Sequence, residues 1–466
     1  MLESATRDTD HTHSRAKDGP YARSHFDPPG KSTAVCLVLA FLLASACTNN
    51  AQVMSPRVAA KWQAELHTLH DSLLARHVDL YHETSREEFE RAVAAIEARL
   101  PSVSVNEALV EFARLIALVG DGHTSFYAGD QRRKTFGFIP LHLWSFSDGL
   151  YVTAAPVEYR HLVGKRITGI DQTPIQEAIR RVKSTIGVDN EKGYDYAVPF
   201  DLLRPELLHA LGIATSADTV RFEFDGGVSE PFATIPLNEY NKGDYRTANG
   251  VYADGIPPSR RLEYLFATPL SLPHLLERKY YWWEYLEEEN AIFFQYNTCW
   301  NQRDRPTVAE MAQEMFAFMD ANPVEKLIID LRQNTGGEPE TARALIDGLA
   351  ARPEFTEEGR LFVLVGRRTF SAAVTNAAEL RSRANARLVG EAPRGKPNSP
   401  SEGRDVDLKR TGIWLTVSTQ FVERDPALGD ADFLPLEIEV NHTFAAYRDA
   451  VDLDLRAALN AGVLDI

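Results

Sequence analysis

The chain has 466 residues, which at roughly 150 residues per domain favours about three domains. Apolar residues make up 44% and charged residues 25% of the sequence, so the composition excludes disordered, collagen-like and multi-spanning membrane proteins. The formal net charge is −16, from 66 acidic and 50 basic side chains. An acidic surface repels phosphate backbones, and we therefore expect no nucleic-acid partner.

Residues 34–46 form an apolar stretch without a charge, preceded by Lys31 and followed after Ala46 by Cys47. The stretch is shorter than the roughly 20 residues that cross a bilayer, and it fits the apolar part of an export signal. The small residues before Cys47 resemble the lipobox of bacterial lipoproteins. We therefore predict a signal segment at 1–47, lipidation of Cys47 that anchors the protein to a bacterial membrane, and a location in the cell envelope or periplasm. Cleavage beside a chance cysteine, without lipidation, is the alternative.

A polar tether at 48–56 and a helical N-terminal domain at 57–135 are predicted next. Apolar residues recur at spacings of three and four in three stretches, which indicates amphipathic helices. Histidines are frequent in this region, but they lack the spacing of a metal site. We expect no metal, and we interpret these histidines as exposed or capping residues: His67, His70, His77, His82 and His123.

Residues 136–237 show short runs typical of β-strands, separated by turns, and one amphipathic helix at 175–186. They predict a small β-rich module, and small modules of this kind often bind peptides along a strand edge. Residues 238–278 are rich in turn formers, and we expect an extended connection there. The last domain is predicted at 279–466, beginning with an aromatic run at 280–283 and 292–294 that is typical of paired, packed strands.

Within that last domain, apolar runs at 326–331, 361–365 and 387–389 alternate with helical stretches at 340–351 and 372–383. Strands and helices in this alternating order predict a βαβαβ unit with parallel strands and right-handed crossovers. The loops that leave the carboxyl ends of parallel strands meet at one edge of the sheet, where ligand sites lie. We therefore expect Gly336, Gly337, Ser371 and Lys396 to lie along the same edge.

These residue types suit acyl transfer. Ser371 begins a helix, where it is either a nucleophile or an ordinary helix N-cap. Backbone N–H groups around Gly336, Gly337 and Ala372 are candidates for an oxyanion hole. The serine needs a base, for which the chain offers two candidates. Lys396 would need its pKa lowered from roughly 10.4 towards 7, whereas His123, in a glycine-flanked loop, has an ordinary pKa near roughly 6.5.

Three segments resemble one family. The segment 327–337 (LIIDLRQNTGG), the Phe370-Ser371-Ala372-Ala373 segment and the 390–396 loop (GEAPRGK) are similar to the motifs of the C-terminal processing, or tail-specific, serine proteases, relatives of the tricorn core protease. The resemblance implies a protease core with a ClpP- or crotonase-like fold, a PDZ-like module within 136–237, polypeptide substrates and no cofactor. Residues 121–124 (DGHT) resemble a motif in which tricorn-type enzymes place a catalytic histidine. Val374 stands where serine–lysine members carry glutamate, so the choice between His123 and Lys396 stays open.

The sequence therefore predicts an exported serine peptidase that acts on polypeptides, with Ser371 as nucleophile. A membrane-anchored, peptide-binding lipoprotein that has kept the protease fold without catalysis is the alternative from another class. A hydrolase of non-peptide acyl bonds is a third hypothesis, because a serine site does not itself choose between amide and ester.

Overall fold

The computed structural model describes residues 52–128, 136–237, 262–264, 280–303, 305–356 and 359–462. The predicted signal segment and Cys47 lie outside these residues, as does most of the predicted connection at 238–278. Within the described ranges, no helix is long and apolar enough to cross a membrane.

The N-terminal helices predicted from the apolar spacing are present as α1 (Pro56–Arg76), α2 (Arg86–Arg99) and α3 (Val105–Ala117). Each begins at a serine whose side chain accepts a backbone N–H of the first turn, which is the usual way to satisfy a helix start. Their apolar faces meet around Trp62 and Phe112, whose rings pack edge to face with 5.1 Å between centroids.

Residues 136–237 form a mixed α/β module of eight short strands and three α-helices. The strands are β2 (Gly137–Phe138), β3 (His142–Phe146), β4 (Gly149–Pro156), β5 (Ile167–Ile170), β6 (Thr173–Pro174), β7 (Thr219–Phe224), β8 (Ser229–Ala233) and β9 (Ile235–Pro236). Helix α4 (Ile175–Lys183) was predicted, whereas α5 (Glu191–Asp201) and α6 (Pro205–Ala210) were not. Helix α5 contains Gly193 and Pro199, both poor helix formers, and α6 is too short to show a period.

The module carries two small sheets, ordered β6-β5-β7-β8 and β10-β4-β3, together with a β2-β9 pair. Strand β10 (Leu262–Tyr264) pairs antiparallel with β4. Part of the segment predicted as a connection is therefore a strand of this module.

The C-terminal region is built on a six-stranded sheet of order β11-β12-β13-β14-β15-β18. Its strands are β11 (Tyr281–Leu286), β12 (Ala291–Tyr296), β13 (Lys326–Asp330), β14 (Leu361–Val365), β15 (Arg387–Gly390) and β18 (Ile438–Glu439). Only β11 runs antiparallel to its neighbour, and the remaining pairs are parallel. The parallel β13-β14-β15 unit confirms the predicted strand order, and β11 with β12 confirms the paired aromatic strands.

Helices cover both faces of this sheet. One face packs against α7 (Val308–Ala321), α8 (Arg343–Ala350) and α10 (Ala372–Ala384). The other face packs against α12 (Leu453–Asn460). Burial on both faces explains why β13 and β14 read as continuous apolar runs. Two short helices complete the region, α9 (Pro353–Thr356) and α11 (Phe444–Arg448).

A long hairpin links the C-terminal region to the N-terminal helices. Strands β16 (Asn398–Leu408) and β17 (Ile413–Glu423) pair along their whole length, and their apolar residues share one buried cluster with α1, α2 and α3. Strand β1 (Ser125–Ala128) pairs with β17. The loop before β1, which contains His123, is thus tied to a hairpin that follows the Lys396 loop directly.

Candidate active site

Ser371 occupies a sharp turn between β14 and α10. Its backbone has φ 54° and ψ −125°, a conformation that costs a residue with a side chain about 1–3 kcal/mol. Its hydroxyl caps no N–H of the helix that it precedes and has no hydrogen-bond partner in the described part of the chain. Ser371 is therefore not an ordinary helix N-cap, because its side chain makes no capping hydrogen bond that would offset the backbone strain.

The glycine loop after β13 lies against this turn. A Cβ on Gly336 would come within 2.8 Å of the Ser371 Cβ and 3.1 Å of the Ala372 nitrogen, so only glycine permits the approach. Both Gly336 and Gly337 have positive φ, at 107° and 136°. The predicted convergence of the glycine loop with Ser371 at one sheet edge is present.

The three predicted oxyanion-hole residues differ in what their amides do. The Gly336 N–H already donates to the Asn334 Oδ1 at 2.9 Å, so Gly336 is not a free donor. The N–H groups of Gly337 and Ala372 make no hydrogen bond to any described residue. Of the three candidates, Gly337 and Ala372 thus keep amides without a partner among the described residues, and Gly336 allows the close approach because it has no side chain.

Asn334 is a buried residue of this loop that sequence reasoning did not single out. Its Nδ2 donates to the Tyr296 carbonyl at 2.9 Å, and its own carbonyl accepts the Phe370 N–H at 3.2 Å. Asn334 therefore fixes the glycine loop to β12 and to the residue before the serine. The available signal was its place in the 327–337 segment that resembles the protease motif.

His123 lies beside the turn that contains Ser371, in contact with Phe370. Its imidazole stacks on Phe370, with 4.4 Å between ring centroids and 23° between ring planes. Both ring nitrogens are buried, and neither has a hydrogen-bond partner among the described residues. Burial, reinforced by the nearby charge of Arg424, lowers the pKa of His123 to about 4. The imidazole is therefore neutral at pH 7 and can accept a proton.

Asp121 holds the loop that carries His123. Its Oδ1 accepts the N–H of His123 at 2.8 Å, the N–H of Thr124 at 2.5 Å and the hydroxyl of Ser418 at 2.7 Å. Burial acts to raise the pKa of Asp121, but the hydrogen bonds from His77 and Ser418 outweigh burial and lower this pKa. The aspartate is thus an ionised anchor between the histidine loop and β17.

His77 corrects one expectation from the sequence. It is the C-cap residue of α1, but its side chain is fully buried rather than exposed. Its Nδ1 accepts the Asp79 N–H at 3.1 Å, so its Nε2–H donates to the Asp121 Oδ2 at 2.8 Å. Side-chain pairing with a distant aspartate leaves no spacing signal in the sequence, which is why the pattern did not reveal it.

The Lys396 side chain is paired with two carboxylates. Its Nζ donates to the Glu83 Oε1 at 3.0 Å and pairs with the Asp432 Oδ1 at 3.1 Å. Burial acts to lower the pKa of Lys396, but its hydrogen bonds to Glu83 and Asp432 outweigh burial and raise this pKa above its ordinary value. A base needs the opposite shift, so of the two predicted bases the structure favours His123.

Three side chains lie close enough together for one metal ion to contact all of them. One possible ligand atom from each lies within 4.8 Å of the other two: Asp121, His123 and Asp189. The arrangement does not fit a cation. The Asp121 oxygens are taken by hydrogen bonds, and the charges of Arg394 and Arg424 act on His123. The cluster is therefore better suited to proton transfer.

No protein-family model matches the sequence, and no curated protein matches it. Among solved structures, mature CPAF aligns at 13% identity with a TM-score of 0.55, covering 88% of this chain and 99% of that chain. A mutant of CPAF aligns at 13% identity with a TM-score of 0.56 and the same coverage, 88% and 99%. The photosystem II D1 C-terminal processing protease matches at 15% identity over 87% of this chain and 98% of that chain, with a TM-score of 0.39.

The chain therefore has the fold of mature CPAF, and the predicted mixed α/β architecture with a parallel sheet is confirmed. At such low identity the likeness concerns the fold, so any reaction has to be argued from the residues of the site.

Proposed function

We propose that the protein is a serine peptidase of the C-terminal processing type that cleaves polypeptides. The observation that carries the proposal is the state of Ser371, a strained serine beside the free amides of Gly337 and Ala372. A hydroxyl that caps nothing, next to two unused N–H donors, is the arrangement that acyl transfer requires. The motif resemblance and the CPAF-like fold agree with this function.

In the proposed reaction, the Ser371 Oγ attacks the scissile carbonyl and its proton passes to the neutral imidazole of His123. The amides of Gly337 and Ala372 donate to the oxyanion that forms. His123 then gives its proton to the leaving amine, and water hydrolyses the acyl-enzyme with the same base. No hydrogen bond joins Ser371 to His123 in the part of the chain described, and such bonds are often long in enzymes without substrate.

Digestion of an unfolded protein such as reduced casein tests the proposal. We expect the wild-type protein to release peptides, and the Ser371→Ala variant to release none while keeping the wild-type melting temperature. Equal activity of the two proteins would refute the nucleophile. Cleavage of small esters without any cleavage of casein would support the acyl-hydrolase hypothesis, and casein binding without turnover would support the non-catalytic binder.

We also propose that the module at 136–237 is PDZ-like and docks the substrate chain. The support is an edge strand, β8, at the end of the β6-β5-β7-β8 order, since an extended peptide can add to such an edge. One backbone donor is missing from this edge, because Pro231 lies within β8 and has no N–H. Protection of β8 amides from hydrogen exchange by a bound peptide would support docking there, and unchanged exchange would contradict it.

Export and lipid anchoring at Cys47 are a separate proposal that depends on the apolar stretch at 34–46 and the small residues after it. Expression in a bacterial host with labelled palmitate tests the anchor. We expect label in the membrane fraction for the wild-type chain and none for Cys47→Ser. A released, unlabelled wild-type protein would favour a cleaved signal without lipidation.

A further inference from the structure

The loop before α5 enters the space between the two loops that carry the predicted bases. Asn190 Nδ2 donates to the carbonyls of Pro393 at 3.0 Å and Asp432 at 2.9 Å. The neighbouring Asp189 is buried, and its Oδ1 accepts the Gly122 N–H at 2.6 Å. This loop therefore places a carboxyl group of the α/β module, that of Asp189, against the loop that contains His123.

Two carboxyl groups lie beside the His123 ring, and only one has room for another bond. A nitrogen of His123 lies within 4.8 Å of an oxygen of Asp121 and of Asp189. The Asp121 oxygens accept four hydrogen bonds between them. The Asp189 Oδ2 accepts only a long bond of 3.4 Å from the Lys396 N–H, so Asp189 keeps lone pairs for a further donor.

The positive charges around His123 disfavour its protonation, so a base at this position needs a nearby carboxylate. The side chains that act on its ionisation are Arg424, Asp121 and Arg394, and Arg394 also lies 4.0 Å over the Phe370 ring on which His123 stacks. Two guanidinium groups oppose the positive charge that the imidazole takes up as a base. Asp121 partly offsets them, but its oxygens face donors on other elements.

We propose that Asp189 is the positioning residue of His123, accepting the N–H of one ring nitrogen so that the other faces Ser371. The inference rests on the proposed function. When the Ser371 O–H bond breaks, its proton forms the second N–H bond of the imidazole, and the Asp189 carboxylate offsets the new positive charge without taking a proton. No hydrogen bond within the described residues holds the His123 ring in place.

The ionisation of Asp189 is compatible with this role. Burial raises the pKa of Asp189 to about 6, against the opposing hydrogen bond from Gly122 and the charge of Arg424. The carboxyl group is therefore mostly ionised at pH 7. It becomes neutral in mild acid, where it no longer compensates the positive charge of the protonated His123 ring.

The test is the rate constant of labelling by a fluorophosphonate probe, measured against pH for matched variants. Asp189→Asn should lower the plateau on the order of 10²–10⁴-fold, as loss of an orienting carboxylate does in serine proteases. It should also move the midpoint of the acid limb to lower pH. The control is Asp201→Asn, which removes a mostly buried carboxylate paired with Arg204 in the same module and should match the wild type.

A double variant separates positioning from structural support. In a His123→Ala background, Asp189→Asn should cost nothing further, because the carboxylate acts only through the imidazole. An additional loss as large as in the wild-type background would overturn the proposal. So would an Asp189→Asn profile that matches the wild type in plateau and midpoint.

Asp189→Glu serves if the asparagine variant is unstable. Its longer side chain should lower the plateau while retaining the acid midpoint, and a wild-type plateau or a moved midpoint would contradict the proposal. The proposed function fails separately, when the wild-type protein is not labelled or the label survives Ser371→Ala.

Discussion

Gly336 lies so close to Ser371 that a methyl group added to its Cα would come within 2.8 Å of the Ser371 Cβ. Its φ of 107° is also unfavourable for any residue with a side chain. We predict that Gly336→Ala displaces the serine turn, lowers phosphonate labelling by about 10²-fold or more and destabilises the fold by about 1–3 kcal/mol. Labelling kinetics and urea denaturation check both. The control is Gly226→Ala, at an exposed turn with φ 72° where an added Cβ meets nothing within 4 Å; it shares the backbone strain but should leave labelling unchanged.

The strain at Ser371 predicts an unusual order of stability. A glycine at φ 54° and ψ −125° avoids the clash that a side chain suffers there. We predict that Ser371→Gly is more stable than Ser371→Ala by about 1 kcal/mol, although glycine normally costs stability. Thermal and urea unfolding of the two inactive variants measure the difference. An alanine variant as stable as the glycine variant would mean that the turn is not strained.

The choice of base predicts the pH dependence of labelling. Because the pKa of His123 is lowered to about 4, a histidine base stays neutral at higher pH. Activity should therefore fall below pH 6, first as Asp189, whose pKa is raised to about 6, is protonated and then as His123 is protonated. A Lys396 base, whose pKa is raised, would become active only in strongly alkaline solution. We expect the acid limb below pH 6, a loss on the order of 10²-fold or more for His123→Ala, and a loss below about 10-fold for Lys396→Met. An alkaline midpoint together with an active His123→Ala variant would reverse the assignment.

The arginine of the Asp-Leu-Arg motif predicts a stability effect rather than a catalytic one. Arg332 is buried and pairs with Asp330 at 2.9 Å, Asp452 at 2.7 Å and Asp454 at 3.0 Å, which ties β13 to the start of α12. Arg332→Met removes the guanidinium that these three buried carboxylates share and should cost about 3–5 kcal/mol.

Urea denaturation measures this cost. The matched control is Arg343→Met, which removes a half-exposed arginine paired with Glu340 and Glu379 and should cost less than about 1 kcal/mol. Equal effects of the two substitutions would contradict a structural role of the buried cluster.

The fold was predictable where burial leaves a period or a continuous apolar run. The helices at 56–117 and the β13-β14-β15 unit follow from such patterns. Helices α5 and α6 were missed because glycine, proline and short length hide the period. Pairing of β1 with β17 was also missed, since strands almost 300 residues apart leave no local signal.

The candidate site shows the same limit. Strand order places Gly336 and Ser371 at one sheet edge, and the motif resemblance adds His123 to the candidates. Which base faces the serine depends on side-chain partners that come from elsewhere in the chain. The acids that pair with Lys396 and the carboxyl of Asp189 belong to three distant segments, so no spacing rule identifies them.

The most direct test of the account is intact-mass and peptide mass spectrometry of the folded protein after reaction with a fluorophosphonate. We predict one covalent adduct per chain, located on the peptide that contains Ser371, and none on Ser371→Ala. The absence of any adduct on folded wild-type protein, or an adduct that persists in the alanine variant, would contradict the assignment of Ser371 as the nucleophile.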